Sequence, residues 1–368
     1  MKIIADNTIP YLQGIAETFA EISYISPEEF THDRIKNADA LIIRSIDKCT
    51  QQILEGTSIK LITTATIGFD HIDTAYCDKA GIAWANAPGC NADSVAQYVL
   101  ASLITLSIRN NIDLKNKTLG IVGVGHVGKA VERVCKAYGM NILRNDPPRE
   151  EQEGSAGFVS LKTIAEESDI ITFHVPYTVS GIHATRHLAN EAFFAEVKKK
   201  PWFINTCRGA VHDTTALLRA KREGIVSELI IDCWENEPHI DLQLLDAASI
   251  ATPHIAGFSA DGKANGTRAC LQTIGNFFRI PIEKIGEVVP PLPEEPVIDL
   301  DLFTSRRMEQ AVLKTFCPET VDRMLRNAPH DFESLRNNYN HPREYKAYTL
   351  LNIKEEEIFL SDLLGFNR

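Results

Sequence analysis

Three short segments of this chain each place one chemically potent residue just after an apolar, strand-like run. They are Asn205-Thr206-Cys207-Arg208-Gly209, Asp232-Cys233-Trp234-Glu235-Asn236-Glu237-Pro238 and Thr252-Pro253-His254-Ile255-Ala256-Gly257. Arg208 offers a planar fork of donors that matches a carboxylate. His254 can take a hydroxyl proton near neutral pH, and Glu237 can orient the imidazole and favour its charged form. Those three groups are what oxidation of a hydroxy acid needs. Singly they say little, because a histidine before an apolar run is usually a packed residue and a lone Arg or Glu is usually a surface charge. Their order and their strand-end placement give the set its meaning. Cys207 adjoins Arg208, and packing explains it better than a nucleophilic role. His183 and His187 lie four apart without a third ligand, so no metal site is expected.

Upstream lies Leu119-Gly120-Ile121-Val122-Gly123-Val124-Gly125-His126-Val127-Gly128, an apolar strand running into G-x-G-x-x-G at Gly123, Gly125 and Gly128. The following Lys129–Tyr138 reads as a helix. Glycines here permit a tight turn, close approach of backbone to a pyrophosphate and close helix–strand packing, with the helix N-terminus facing the anion. The loop amides, including those of His126 and Val127, do the phosphate work, and the His126 side chain faces solvent or the cofactor edge. A second strand, Asn141-Ile142-Leu143-Arg144-Asn145-Asp146, ends in an acid about 20 residues on. A carboxylate there accepts from ribose hydroxyls and repels an added phosphate, so NAD is expected over NADP, with Arg144 and Arg149 close enough to soften that preference.

These elements need scaffolds, and the chain is long enough for two or three of them at 368 residues. β and α patterns alternate. Lys2–Asp6, 40–44, 60–66 and 82–86 read as strands with helical patterns between them, an open α/β layer. A helical pattern from about 91 to 109 leads into the nucleotide unit, and 169–175, 202–207 and 228–234 supply further strands. The run Val288-Val289-Pro290-Pro291-Leu292-Pro293-Glu294-Glu295-Pro296 is too proline-rich for helix or central strand and reads as a linker. The expected division is a first domain of 1–92 and 257–287, a nucleotide domain of 93–256, a linker of 288–296 and a C-terminal domain of 297–368.

Hydrophobic content of 44% and charge content of 24% are ordinary for a globular protein. The net charge of −11 argues against a general nucleic-acid surface. Eight scattered cysteines without C-x-x-C suit a reducing, cytoplasmic location. The strand-like start is too short and too soon polar for a signal peptide, and no apolar run reaches the ~18 residues of a membrane span.

On these motifs, the stretch from about 40 to 280 resembles the D-isomer-specific 2-hydroxy-acid dehydrogenases. Further marks are Ala85-Asn86-Ala87-Pro88-Gly89-Cys90-Asn91, His174-Val175-Pro176 and Glu237-Pro238. Thr66-Ile67-Gly68-Phe69-Asp70-His71, Pro88-Gly89-Cys90-Asn91-Ala92 and the C-terminal extension narrow the likeness to one branch. The resemblance implies an α/β fold: a Rossmann NAD-binding domain plus a flavodoxin-like substrate domain, with a small α+β C-terminal dimerisation domain. It implies oxidation of a small phosphorylated hydroxy acid by a homodimer, without nucleic-acid or membrane partners. Arg208, Glu237 and His254 would be catalytic. Gly123, Gly125, His126, Val127, Gly128, Asp146, Val175, Thr206, Cys207, Arg208, Asp232 and Gly257 would line the NAD side. Ser45, Thr66 and Phe258 match substrate-contacting positions, although the family often has tyrosine at the position of Phe258 and threonine at that of Phe69. A phosphate needs fixed cations, and Arg44 stands at a suitable strand end. The segment 340–346, with Arg343, also carries cations and in a dimer could reach the second subunit's cleft. Two alternatives share the motifs: a phosphoglycerate or hydroxypyruvate type of dehydrogenase, and a dehydrogenase-like corepressor.

Overall fold

The computed structural model describes residues 1–368, apart from the side chain of Ile282. The chain forms two compact units, one of residues 1–91 and 259–291 and the other of 92–258 and 292–368.

In the first unit, β1 (Lys2–Asp6), β2 (Glu21–Ile25), β3 (Ala40–Ile43), β4 (Leu61–Thr64) and β5 (Ala83–Ala85) form a parallel sheet ordered β2-β1-β3-β4-β5. The inner strands β3 and β4 are buried along their whole length, as expected when a parallel sheet is covered on both faces. The edge strand β2 was not anticipated. Its residues alternate between half-buried and exposed up to Ile25, so it lacks the apolar run that marks its neighbours. The helix Ala260–Phe278 packs on this sheet. A Cβ at Gly266 would lie 2.7 Å from the Ala65 carbonyl oxygen, so the helix approaches the chain beyond β4 as closely as glycine allows.

The second unit holds β6 (Thr118–Val122), β7 (Asn141–Asn145), β8 (Ile170–Phe173), β9 (Trp202–Asn205), β10 (Leu229–Ile231) and β11 (Ile250–Ala251). They form a parallel sheet ordered β11-β10-β9-β8-β6-β7. Strand order reverses beside β6, and Val122 is in register with both Asn145 and Phe173. The carboxyl ends of β6 and β8 therefore open together, the place where doubly wound sheets bind ligands.

The helix Ala92–Asn110 explains where the last part of the chain goes. Fifteen of its residues, among them Val95, Tyr98, Val99, Leu100 and Leu103, are buried around its whole circumference. A helix apolar on all sides needs cover on all sides. The helix His126–Ala137 supplies one face, and the C-terminal helices Arg307–Thr315 and Pro318–Asn327 supply others. Ile298, Leu300, Met308, Val312, Phe316, Tyr345, Leu350 and Leu364 share one continuous core with Leu119, Ile121 and Val131 of this six-stranded sheet and its first helix. Asp322 accepts the Ala251 amide at 2.8 Å, so the C-terminal segment also covers the edge strand β11. The remaining C-terminal elements are the parallel pair β12 (Val297–Asp299) and β13 (Thr349–Leu351) and the helices Phe332–Asn337 and Glu355–Leu364.

Candidate active site

The glycine loop fits a dinucleotide by its clearances. Gly123 has φ +89°, and a Cβ there would meet the His174 carbonyl oxygen at 2.6 Å; a Cβ at Gly128 would meet the Gly123 carbonyl oxygen at 2.1 Å. These two glycines let β6, β8 and the helix pack in contact. A Cβ at Gly125 would meet nothing within 4 Å, so the side of the loop at the helix N-terminus is open. His126 is exposed there, while Val127 is half-buried against the core, so its backbone is what it can offer a ligand. Asp146 closes the loop: its carboxylate accepts from the Val124 amide at 2.8 Å and the Arg149 amide at 3.2 Å. Arg144 is paired with Glu132, and Arg149 donates to Glu153 and, at 2.5 Å, to the Val124 carbonyl. Neither arginine stands free to receive a 2′-phosphate. On the opposite wall, His174 lies between the hydroxyls of Thr172 and Thr206, and burial drives its pKa down to about 3. It is a neutral buried group. Val175 beside it is half-buried and Cys207 is buried, its thiol pushed up to about 11 chiefly by burial.

Arg208 follows β9, and its segment is held by Asn205. The Asn205 side chain accepts from the Cys207 amide at 3.1 Å and donates to the Arg208 carbonyl at 2.9 Å. Gly209 then lies against the backbone of Trp234 and Glu235; a Cβ would come 1.9 Å from the Trp234 carbonyl. No other residue type fits, and the contact ties the Arg208 loop to the Glu237 loop. Arg208 itself is exposed, with one guanidinium nitrogen donating to the Cys207 carbonyl at 2.7 Å and no carboxylate paired with it among the described residues.

His254 sits in the left-handed region at φ 56°, a conformation costly for a non-glycine residue. Asp232 stabilises it. That carboxylate, 1% exposed, accepts from the Ile255 amide at 2.7 Å, the Ala256 amide at 3.0 Å and the Thr252 hydroxyl at 2.6 Å. Burial nevertheless raises its pKa, opposed by the His254 charge and these hydrogen bonds. Asp232 thus shapes the histidine loop, a duty its motif did not reveal. The His254 Nδ1 lies 2.8 Å from Glu237 Oε2, and the other Glu237 oxygen accepts the Trp234 amide at 2.8 Å. Burial would raise the Glu237 carboxyl, but the bond and charge of His254, the Trp234 amide and the charge of Arg336 bring it below its usual range. With Glu237 ionised, Nδ1 carries the proton and the Nε2 lone pair faces away, the arrangement of a general base. Cys233, Glu237 and His254 place ligand atoms within 4.8 Å of one another. The His254–Glu237 hydrogen bond already uses two of them, and the Cys233 thiol is held protonated by burial and by Asp232 and Glu237.

Gly257 and Phe258 follow. The Phe258 ring meets His341 edge-on at 5.7 Å, and the Arg336 guanidinium lies 5.5 Å from its centre. The segment 336–343 therefore packs on the histidine loop of its own chain, where Gln97 also donates to the Arg343 carbonyl at 3.1 Å. In the first unit, the Arg44 guanidinium donates to the Thr8 hydroxyl at 2.6 Å and Ser45 is exposed. The Thr66 hydroxyl donates to the Gly68 carbonyl at 2.8 Å and lies 2.7 Å from the Thr64 hydroxyl. The Phe69 and Trp84 ring centres lie 4.9 Å apart, the rings tilted by 39° to each other. His183 and His187 do not converge: each has its own carboxylate, Glu151 and Glu235.

Residues 102–256 match the family model of the D-isomer specific 2-hydroxyacid dehydrogenase NAD binding domain. The chain is 52% identical to an erythronate-4-phosphate dehydrogenase of Porphyromonas gingivalis, across 97% of each protein. Identity to the enzyme of the same name from Bacteroides thetaiotaomicron is 48%, over 96% of this chain and 100% of that one. Identity to that of a Shewanella species is 36%, over 100% and 99%. Among solved structures, D-lactate dehydrogenase of Aquifex aeolicus, complexed with NAD and lactic acid, has 28% identity. It aligns with TM-score 0.61 over 77% of this chain and 97% of its own. The NAD+-bound 3-phosphoglycerate dehydrogenase of Entamoeba histolytica aligns at 27% identity and TM-score 0.63, over 76% and 96%.

Proposed function

The chain belongs to the erythronate-4-phosphate dehydrogenase family of D-isomer-specific 2-hydroxyacid dehydrogenases, and we infer that it oxidises 4-phospho-D-erythronate at C2. The product is (R)-3-hydroxy-2-oxo-4-phosphooxybutanoate, and the reaction serves vitamin B6 biosynthesis. The observation that carries this reading is the 2.8 Å bond between His254 and an ionised Glu237, on a loop shaped by Asp232 and beside an arginine with open donors.

NAD supplies the hydride acceptor. The loop Gly123–Gly128, Asp146, Val175, the 206–208 backbone and Gly257 would hold it, and the clearances at Gly123, Gly125 and Gly128 suit that role. Arg208 clamps the substrate carboxylate through its remaining donors and so fixes C2 and its hydroxyl. His254 takes the hydroxyl proton at Nε2 as the C2 hydrogen departs with its electron pair. Glu237 stabilises the imidazolium so formed and keeps the ring in place, the logic of an acid behind a catalytic histidine. Ser45, Thr66, Arg44 and Phe258 remain the candidates for the rest of the substrate.

The protein acts as a cytoplasmic homodimer in this reading. No described helix is long and apolar enough to cross a membrane, and all eight cysteines are unpaired. After the C-terminal segment has docked on its own chain, Leu302 and Phe359 are still 77% and 69% exposed, with Val297 and Leu351 also in solvent. Such a surface suits a second copy related by a two-fold axis. The test of the activity is steady-state NADH formation with 4-phosphoerythronate, 3-phosphoglycerate and glycerate side by side. Highest kcat/KM with 4-phosphoerythronate is expected; a preference for either of the others would replace this substrate assignment.

A further inference from the structure

The substrate inferred above has two anionic ends, and Arg208 accounts for one. A second arginine faces the loop that carries His254 and Phe258. Arg336, in the helix Phe332–Asn337, has its guanidinium 5.5 Å from the centre of the Phe258 ring, close enough for its charge to act on the Glu237 carboxylate. Its Nε is buried with no acceptor, and none of its side-chain nitrogens forms an ion pair among the described residues. A buried guanidinium donor without an acceptor is costly, and such groups are normally satisfied. Some of the other cations considered for a phosphate have partners of their own. Arg44 donates to Thr8, and Lys346 pairs with Glu344. Arg336 thus combines a fixed charge, open donors and a stem held against an aromatic face.

We propose that Arg336 is a substrate-binding residue, the donor that receives the phosphate end of the hydroxy acid while Arg208 holds the carboxylate. The two arginines then stand at the two sequence-distant segments that meet the His254–Glu237 pair, and a substrate charged at both ends is oriented by both. A fork of N–H donors suits a phosphate dianion, and charge-assisted bonds of this kind are about twice as strong as neutral ones. The placement also gives the C-terminal segment a part in catalysis within its own subunit, beyond any part in association. This assignment rests on the reading of the substrate as phosphorylated.

The experiment compares wild type with Arg336→Met, which keeps the apolar stem over Phe258, and Arg336→Lys, which keeps the charge without the fork. NADH formation is measured with 4-phosphoerythronate and with unphosphorylated erythronate, and inorganic phosphate is titrated as an inhibitor. In Arg336→Met the preference for the phosphorylated substrate should fall about 10- to 100-fold, the loss residing in KM. Phosphate inhibition should weaken by a similar factor, with Arg336→Lys between the two. Equal losses on both substrates, with the rise of rate with pH displaced, would mean that Arg336 acts through Glu237 and would overturn the proposal. So would an unchanged preference or unchanged phosphate inhibition. If wild type itself shows no preference for the phosphorylated acid, the substrate reading fails, while phosphate inhibition still decides whether this arginine binds the anion.

Discussion

At the scale of single residues, the proposed chemistry lies in a base whose proton-bearing nitrogen is fixed by an ionised partner. His254→Asn should fold normally and lose turnover by roughly 10²- to 10⁴-fold, the usual contribution of a general base. The base must be neutral to accept a proton, so the rate of oxidation should rise with pH. Glu237 is ionised in the fold and favours the imidazolium. In Glu237→Gln a neutral partner no longer does so, and the rise should move to lower pH while the maximal rate drops. A profile that keeps its midpoint in Glu237→Gln would contradict the pairing. The three candidate residues stood out in the sequence because their types and strand-end spacing are chemically restrictive. The supporting hydrogen bonds of Asn205 and Asp232 were not, since an Asn or Asp beside a reactive residue reads the same whether it binds ligand or backbone. The proposed part of Arg336 was invisible for another reason: the loop it faces is distant in sequence, and no motif marks the helix that carries it.

At the scale of elements, strands with continuous apolar runs declared themselves, and β3, β4, β8 and β9 are all fully buried. The edge strand β2 did not, because one ordered sheet neighbour demands no such run. A pair of buried carboxyls behind the β3 turn was equally silent. Asp6 and Asp47 are 2% and 1% exposed, and Asp47 accepts the Arg44 amide at 2.8 Å, which shapes the Arg44–Ser45 turn. Burial, aided by the charge and hydrogen bond of Asp6 and opposed by the Arg44 amide, raises the Asp47 carboxyl to about 7. The folded state therefore binds this proton more tightly than the unfolded chain does. The associated stability is complete below the ordinary carboxylate range and is lost as pH rises to about 7. Thermal unfolding followed across that window should show a falling Tm in wild type, and a flatter dependence in Asp47→Asn, whose amide mimics the protonated acid. An identical slope in both proteins would remove Asp47 from the explanation.

At the scale of the whole molecule, the C-terminal segment has two different surfaces, one packed on its own chain and one proposed to meet a second copy. Its inner face completes the core around the helix Ala92–Asn110, with Tyr98 and Phe316 rings 5.6 Å apart. Truncation near residue 288 should therefore strip cover from Val99 and Leu103 and give insoluble or unfolded protein rather than a clean monomer. Its outer face carries the apolar groups left in solvent. The double variant Leu302→Glu, Phe359→Glu should keep the circular dichroism of the wild type but sediment as a monomer. A variant that stays a dimer would place the association elsewhere. Composition and a proline-rich linker marked this segment as distinct, yet its packing against the nucleotide unit was not legible, because an amphipathic helix does not name the surface it will cover.

The claim on which the rest depends is that hydride leaves C2 of the phosphorylated acid as His254 takes the hydroxyl proton, and isotopic labelling tests it directly. The protein is mixed with NAD and 4-phosphoerythronate bearing deuterium at C2, and the reduced cofactor is analysed by mass. The account predicts one deuterium in every NADH formed, with formation abolished or slowed by roughly 10²- to 10⁴-fold in His254→Asn. Unlabelled NADH, or labelled NADH formed at an undiminished rate by His254→Asn, would contradict it.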